Sequence, residues 1–382
     1  MKVEKTKFYS YKLGKLAKGC QQCVKGEKLV LFITGLCSNN CFYCPISDKK
    51  KGRDVIYANE WQLKNEKDKK TLIEEAKLCD SKGAGITGGD PLVKLDRTIK
   101  YIKLLKKTFG KDFHIHLYTP AKLVTTLKLK KLHTAGLDEI RFHLDPDKKG
   151  EWKKILLAKK HEWKIGVEIP AIPDKEKETK QMIDFLDDKI DFLNINELEI
   201  SDNNANQLLK KGFHTKDRMS YGIKGSDGLA KRLLKYCAKK KVKFNVHYCT
   251  CKLKDKVQLA KRIKRRAKNV AKDFDIITSD GMLFRGAIYN RIVPGFDYEN
   301  KIKKAKDKQK TINKLNKAVK TLRGKHKIPA ELFYVDKERL RILTSARISQ
   351  ELSLDIKKLK LKPSFITEYP THDSLIIELD FL

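Results

Sequence analysis

Between Leu29 and Cys249, short apolar runs alternate with amphipathic helical stretches. This alternation constrains the fold most, because strand-then-helix repeats build parallel β/α units. Seven runs read as strands, at residues 29–35, 84–89, 114–119, 139–145, 164–171, 192–200 and 243–249. The helices between them carry start and stop signals. One begins near Asp96, sets Ile99, Ile102, Leu105 and Phe109 on one face, and stops at Gly110.

Successive side chains of a strand point to opposite faces, and here the two faces differ in chemistry. Arg141 and His143 oppose Phe142 and Leu144, while His116 and Tyr118 oppose Ile115 and Leu117. Glu168 opposes Val167 and Ile169; Asn194 and Asn196 oppose Leu193 and Ile195; Asn245 and His247 oppose Phe244 and Val246. Helices cover the apolar face, so the polar face lines the other side. A closed eight-stranded barrel fills that side with layers of Val, Ile and Leu. A polar lumen predicts an opened cavity instead, since a sheet with one solvated face belongs mainly to antiparallel arrangements.

Beyond about Asp273 the pattern changes to a hairpin around Ser279, Asp280 and Gly281, a Lys-rich helix at 301–323, and strands near 332–335, 339–343, 365–369 and 374–379. The expected organisation is an N-terminal segment at 1–28, a partial barrel at 29–272 and a small basic α+β module at 273–382. Lys and Arg number 85 against 48 Asp and Glu, a formal charge of +37. That excess allows a polyanionic partner. In the stretch 255–272 an apolar stripe of Val257, Ala260, Ile263, Ala267 and Val270 is surrounded by Lys261, Arg262, Lys264, Arg265, Arg266 and Lys268. Clustered Arg and Lys suit phosphate backbones, although no recognisable RNA-binding motif is present. A second basic stretch runs over 301–327. The longest apolar run, 29–36, is far shorter than the ~20 residues that cross a bilayer, and the N-terminus has charges without an apolar core. A cytoplasmic location with no membrane partner is expected, and nine cysteines there point to metal ligands before disulfides.

The strongest chemical signal follows the first strand, in F-I-T-G-L-C-S-N-N-C-F-Y-C-P, where Cys37, Cys41 and Cys44 are separated by three and then two residues. Three thiolates on one loop can ligate three corners of a cubane iron-sulfur cluster and leave the fourth iron open. A zinc ribbon normally pairs two C-x-x-C knuckles instead. The run resembles the radical S-adenosylmethionine (radical SAM) superfamily, with Tyr43 at the aromatic position before the last cysteine. After the second strand, I-T-G-G-D-P places Gly88, Gly89 and Asp90 in a motif similar to the family's G-G-E-P, which binds the methionine amino group of the cofactor. Asp in place of Glu is shorter. Within the superfamily the chain resembles proteins related to pyruvate formate-lyase activating enzyme, especially archaeal relatives.

The resemblance implies a partial (β/α) barrel of the TIM type with a 4Fe-4S cluster at the C-terminal ends of its strands. It implies that the reduced cluster gives one electron to S-adenosylmethionine, that methionine leaves, and that a 5′-deoxyadenosyl radical removes a hydrogen atom from the substrate, expected to be a protein or, from the basic surface, RNA. An electron donor such as ferredoxin or flavodoxin is the implied partner. His116, Tyr118, Arg141, His143, Glu168, Asn194 and Asn196 form the pool of contacts to cofactor and substrate. Of the remaining cysteines, Cys20 and Cys23 precede the first strand, and Cys249 and Cys251 follow the last. These four are candidates for a second centre, either iron-sulfur or zinc, provided the N-terminal segment folds over the barrel. The alternative for Cys249 is a structural thiol or a hydrogen-atom donor at the cavity mouth. Cys79 and Cys237 sit in helical patterns as small core residues. A different class, a non-catalytic iron-sulfur or zinc protein binding nucleic acid, is separated from these readings by cofactor cleavage.

Overall fold

The computed structural model describes all 382 residues, which form two compact units, Met1–Arg262 and Ile263–Leu382. In the first unit the chain runs β1 (Val3–Lys5), β2 (Tyr11–Leu13), α1 (Lys18–Lys25), β3 (Lys28–Phe32), β4 (Tyr57–Ala58), β5 (Trp61–Gln62), α2 (Lys69–Leu78), β6 (Gly83–Thr87), α3 (Leu95–Phe109) and β7 (His114–Pro120). It continues through α4 (Thr126–Thr134), β8 (Glu139–His143), α5 (Lys149–Trp152), β9 (Lys164–Ala171), α6 (Glu176–Leu186), β10 (Phe192–Glu197), α7 (Ala205–Lys210), α8 (Ser226–Lys240) and β11 (Asn245–Cys249). A helical run then opens at α9 (Cys251–Leu253), passes through a π-helical stretch at Lys254–Leu259 and continues as α10 (Ala260–Val270).

The eleven strands form one sheet in the order β1-β2-β11-β10-β9-β8-β7-β6-β3-β4-β5. The seven strands expected from the alternation are β3 and β6 to β11, and neighbours among them pair in parallel. The outermost of the seven, β11 and β3, pair with antiparallel β2 and β4 rather than with each other, so the barrel is partial. Its outward faces carry Ile115, Leu117, Ile140, Phe142, Val167, Ile169, Leu193, Ile195 and Val246, all buried in one apolar cluster with the helices.

The N-terminal segment adds something the alternation does not show. Helix α1 lies against lumen-facing side chains: a Cβ at Gly19 would stand 2.6 Å from both Arg141 Nη2 and His116 Nδ1. Gln22 Nε2 donates to the Lys82 carbonyl at 3.0 Å, and Asn194 Nδ2 contacts Cys20 Sγ at 3.2 Å. With Gly83 also packed on Gln22, α1 closes the end of the lumen at which the strands begin.

In the second unit, β12 (Ile276–Ile277), β13 (Leu283–Tyr289), α11 (Tyr298–Lys304), α12 (Lys308–His326), β14 (Phe333–Asp336), β15 (Arg341–Thr344), α13 (Ala346–Glu351), α14 (Ser353–Lys358), β16 (Lys362–Glu368) and β17 (Ile376–Phe381) build an antiparallel sheet ordered β14-β15-β13-β16-β17, with β12 paired to β13. The Lys-rich helix expected at 301–323 is thus two helices. Arg262 and Arg266 of the 255–272 stretch are placed differently from a phosphate-binding face. Arg262 Nη1 donates to Asn59 at 3.2 Å and its Nη2 pairs with Glu60. Arg266, one turn after buried Ile263, falls on the apolar stripe and is 4% exposed. No helix is long and apolar enough to cross a membrane.

Candidate active site

The loop after β3 and the loop after β6 are laced together by backbone. Ile33 N donates to Thr87 O at 2.9 Å, Gly89 N to Thr34 O at 2.8 Å and Asp90 N to Leu36 O at 2.9 Å, which extends the parallel pairing past both strands. This closeness requires glycine. A Cβ at Gly88 would lie 2.5 Å from Thr34 O, and one at Gly89 2.3 Å from Leu36 O. Cys37, Cys41 and Cys44 therefore emerge beside Gly88 and Gly89.

All five line one cavity of about 570 Å³, together with Tyr43, Tyr118, His143, Glu168 and Asn196. Burial raises the Cys37 thiol and pushes Cys41 up to about 11. Asn39 N–H approaches Cys37 Sγ at 3.4 Å. The three thiols share this cavity, but no group of three or more His, Cys, Asp or Glu side chains is drawn together closely enough to hold a metal ion. Soft sulfur donors on one loop that line a common cavity fit an iron-sulfur cluster that keeps one iron open to a further ligand.

Below the loop the lumen holds a connected polar network. Glu168 accepts from Arg141 Nη1 at 2.9 Å, Asn194 Nδ2 at 2.9 Å and Asn196 Nδ2 at 3.0 Å. Burial alone would raise its pKa, but the guanidinium and the two amides outweigh it and hold the carboxyl at about 2. Arg141 also binds Glu139 through Nε at 2.6 Å, and its guanidinium carbon lies 5.2 Å from the ring centres of both Tyr118 and Phe192. His143 has a defined tautomer. Its Nδ1 lies 3.0 Å from the Glu168 carbonyl, which only accepts, so Nδ1 carries the proton and Nε2 accepts from Tyr43 Oη at 2.9 Å. Burial lowers the His143 pKa, so the ring is neutral and ties the cysteine loop to β8 and β9.

The structure brings Tyr43, Gly88, Gly89, His143, Glu168 and Asn196 to the cavity wall and sets Asp90 and Arg141 behind it. Asp90 is 0% exposed; its carboxylate accepts from Leu92 N at 3.0 Å, Thr119 Oγ1 at 2.8 Å and Ser38 Oγ at 3.0 Å. The short side chain folds back to cap its own turn at Pro91–Lys94. Arg141 is 2% exposed and reaches the cavity through Glu168 and through Tyr118, whose hydroxyl accepts from Arg141 Nη1 at 3.1 Å. Cavity residues outside the expected pool include Lys28, Glu197, Glu199 and Lys254. Lys28 shares the parity of Val30, which could have marked it; Lys254 opens the π-helical stretch, a distortion frequent at functional sites.

The four cysteines expected at a second centre do not converge. The N-terminal segment does fold over, since β2 pairs with β11, and Cys20 and Cys23 stand close enough to Cys249 to disfavour its ionisation. Burial pushes Cys249 up to about 12 and Cys20 to about 11, the latter held down in part by Arg141. Cys251 is turned elsewhere: its N–H donates to Glu197 Oε2 at 2.9 Å and its Sγ faces Glu199 Oε2 at 3.7 Å. The residue that begins the following helix is thereby committed to the acidic end of β10. Cys249, 8% exposed, lies beneath Gln258 Nε2 at 3.7 Å and does not line the cavity.

Residues 31–186 match the family model of the radical SAM superfamily. A Methanocaldococcus jannaschii protein, provisionally named a glycyl-radical enzyme activating enzyme, is 46% identical over 315 residues, covering 79% of this chain and 80% of that protein. Among solved structures, methylornithine synthase matches with 14% identity over 58% of this chain and 70% of its own, at a TM-score of 0.38. Coproporphyrinogen III oxidase of Escherichia coli, a radical SAM enzyme, matches with 9% identity over 91% of this chain and 94% of its own, at a TM-score of 0.35.

Proposed function

Since the chain belongs to the radical SAM superfamily and is an enzyme of that family, we propose that it is an activating enzyme that removes a hydrogen atom from a glycine of a partner protein. The observation that carries this reading is the 46% identity, across most of both chains, to the M. jannaschii protein named for that activity. We assign Cys37, Cys41 and Cys44 as the ligands of a 4Fe-4S cluster. When bound, the cluster supplies one electron for the reductive cleavage of S-adenosylmethionine, drawn from a carrier such as ferredoxin or flavodoxin.

The chain's own residues bind, orient and exclude water. The Gly88 and Gly89 backbone flanks the thiols and is the surface on which the methionine portion of the cofactor would lie. Tyr43, His143, Glu168 and Asn196 form the wall for its nucleoside portion and for the reacting glycine. Glu168 stays ionised in its cage of donors, so it orients hydroxyl or ammonium groups as an acceptor and does not shuttle protons. Asp90 and Arg141 are positioning residues, the first for the paired loops and the second for Glu168. Helix α1 shuts the lumen where the strands begin, so a protein substrate must reach the cavity from the cysteine-loop end. Cys249, behind the wall, is given no step.

The test is anaerobic incubation of reconstituted enzyme with reductant, S-adenosylmethionine and a glycyl-radical enzyme from the same cell whose glycines are deuterated. Deuterium in 5′-deoxyadenosine together with a glycyl radical by paramagnetic resonance is the expected result. Cofactor cleavage without deuterium transfer from any protein would overturn the protein-substrate reading and leave the family assignment intact.

A further inference from the structure

The positive charge of the second unit is concentrated in one place. Residues 263–382 hold 27 Lys or Arg against 15 Asp or Glu, but residues 299–327 alone hold 12 against 2. Outside that segment the unit is nearly balanced, with 15 basic residues facing 13 acidic.

The segment is α11 and α12, and all of its basic residues except Arg323 are exposed. Only Lys325 among them has a carboxylate partner, Asp355 at 2.7 Å. On α12, Leu315, Ala318 and Leu322 turn into the apolar core, while Lys310, Lys314 and Lys317 recur at helical spacing on another side. At 1.5 Å of rise per residue they stand about 6 and about 4.5 Å apart along the axis, a row of ammonium groups on which phosphates can follow one another.

The chain just before α11 adds a different chemistry. Phe296 is 96% exposed, and Lys301 Nζ holds its backbone carbonyl at 2.9 Å. Beside it lies a recess of about 430 Å³ lined by Arg291, Ile292, Val293, Asp297, Lys301 and Lys304. Three cations outweigh the one carboxylate there. A fully exposed aromatic ring next to a concave cationic surface is the pairing that takes unstacked bases together with their phosphates, and a duplex would hide the base faces from it.

We propose that the α11–α12 face, with Phe296 and the adjoining recess, binds a single-stranded polynucleotide. The lysine row neutralises consecutive phosphates, and Phe296 stacks on a base at the recess. This surface is distinct from the radical SAM site and does not depend on the identity of its substrate.

The test uses the full-length protein and fluorescein-labelled single-stranded RNA and DNA of mixed sequence, about 16 nucleotides long, read by fluorescence anisotropy over a range of salt. Inorganic polyphosphate and phosphatidylserine vesicles are the comparison probes. Binding should weaken steeply with salt, and the relative affinities of the two oligonucleotides identify the source. The variant K310Q/K314Q/K317Q should flatten the log–log salt slope by about 2, at roughly 0.7 for each phosphate left without its ammonium. Phe296→Ala should weaken binding at least about fivefold at fixed salt. Both variants should keep wild-type circular dichroism and melting, since every substituted side chain is exposed. No binding at low salt, or an unchanged slope in the triple variant, overturns the proposal. So does polyphosphate competing as well as RNA of equal charge with Phe296→Ala silent, or binding to the vesicles without binding to either oligonucleotide.

Discussion

Ser38 donates its hydroxyl to Asp90 at 3.0 Å, so the start of the cysteine loop, next to Cys37, is fastened to the motif that follows the neighbouring strand. Asp90 completes the fastening by accepting from Thr119 on β7, which links three consecutive strand ends through one buried carboxylate. Burial raises the pKa of that carboxylate, and the Leu92, Thr119 and Ser38 donors act against the rise.

Asp90→Ala should therefore do two things together. It strands the Leu92 N–H in a buried site, at a cost of about 1–3 kcal/mol, and it loosens the cysteine loop, while the Thr119 hydroxyl keeps the Pro120 carbonyl at 3.0 Å. A lower urea midpoint in the metal-free protein is expected along with weaker binding of S-adenosylmethionine to the reconstituted one. A stability equal to wild type with binding alone impaired would mean that the carboxylate leaves its buried position to contact the cofactor.

Arg141 sits between Glu139 and Glu168 and makes both carboxylates tolerable in the lumen. Removing one partner of a buried pair typically costs about 3–5 kcal/mol, and Arg141→Met should fall in that range by urea denaturation. Gly19→Ala approaches the same group from α1, where the new methyl would meet the guanidinium and His116 at 2.6 Å. It should cost about 1–3 kcal/mol through overpacking. A neutral effect at Gly19 would show that α1 shifts off the lumen without penalty.

The depressed pKa of Glu168 makes a signed pH prediction. In the unfolded chain the carboxyl titrates near its ordinary 4.5, and in the folded chain near 2. The unfolded state then binds more protons between these values, so the stabilisation is fully present above pH 4.5 and is lost as pH falls towards 2. Glu168→Gln should flatten the decline of the urea midpoint within that window. Burial keeps His247 near 4, below its ordinary 6.5, so it adds a decline that starts at higher pH; the Glu168 charge raises the His247 pKa, so this part of the decline is not lessened in the variant. Parallel curves for the two proteins below pH 4.5 would rule out the ionised cage.

How much of this was legible in the sequence depended on periodicity. Strands β3 and β6 could be read as short apolar runs and β7 to β11 because their apolar and polar residues alternate, and Glu168, His143 and Asn196 reach the cavity through that parity. Asp90 could not be placed the same way, since a strand-end residue obeys its local turn and not the pleat. Helix α1 was missed as the floor of the lumen because a single eight-residue helix carries no sign of what it will cover. Arg262 and Arg266 read as surface charge, but the first found Glu60 and the second turned onto the buried stripe. Both outcomes were decided by tertiary neighbours.

The thiols separate into two sets with opposite expectations. Cys37, Cys41 and Cys44 share one cavity with the paired glycines, and the spacing that places them on a single loop gives iron three sulfur ligands. Their triple replacement by Ala should abolish the charge-transfer absorption of the reconstituted protein and all cleavage of S-adenosylmethionine. Cys20 and Cys23 stand near enough to Cys249 to raise its pKa, but no three His, Cys, Asp or Glu side chains are grouped so that they could hold a metal ion, and Cys251 is held at Glu199 and Glu197. The triple variant should therefore retain neither iron nor zinc in stoichiometric amount by elemental analysis. Cys251→Ser in the wild-type background should leave the iron content unchanged. One equivalent of tightly held metal in the triple variant, lost on adding Cys251→Ser, would falsify this separation and show that the loop carrying Cys251 turns inward to complete a second centre.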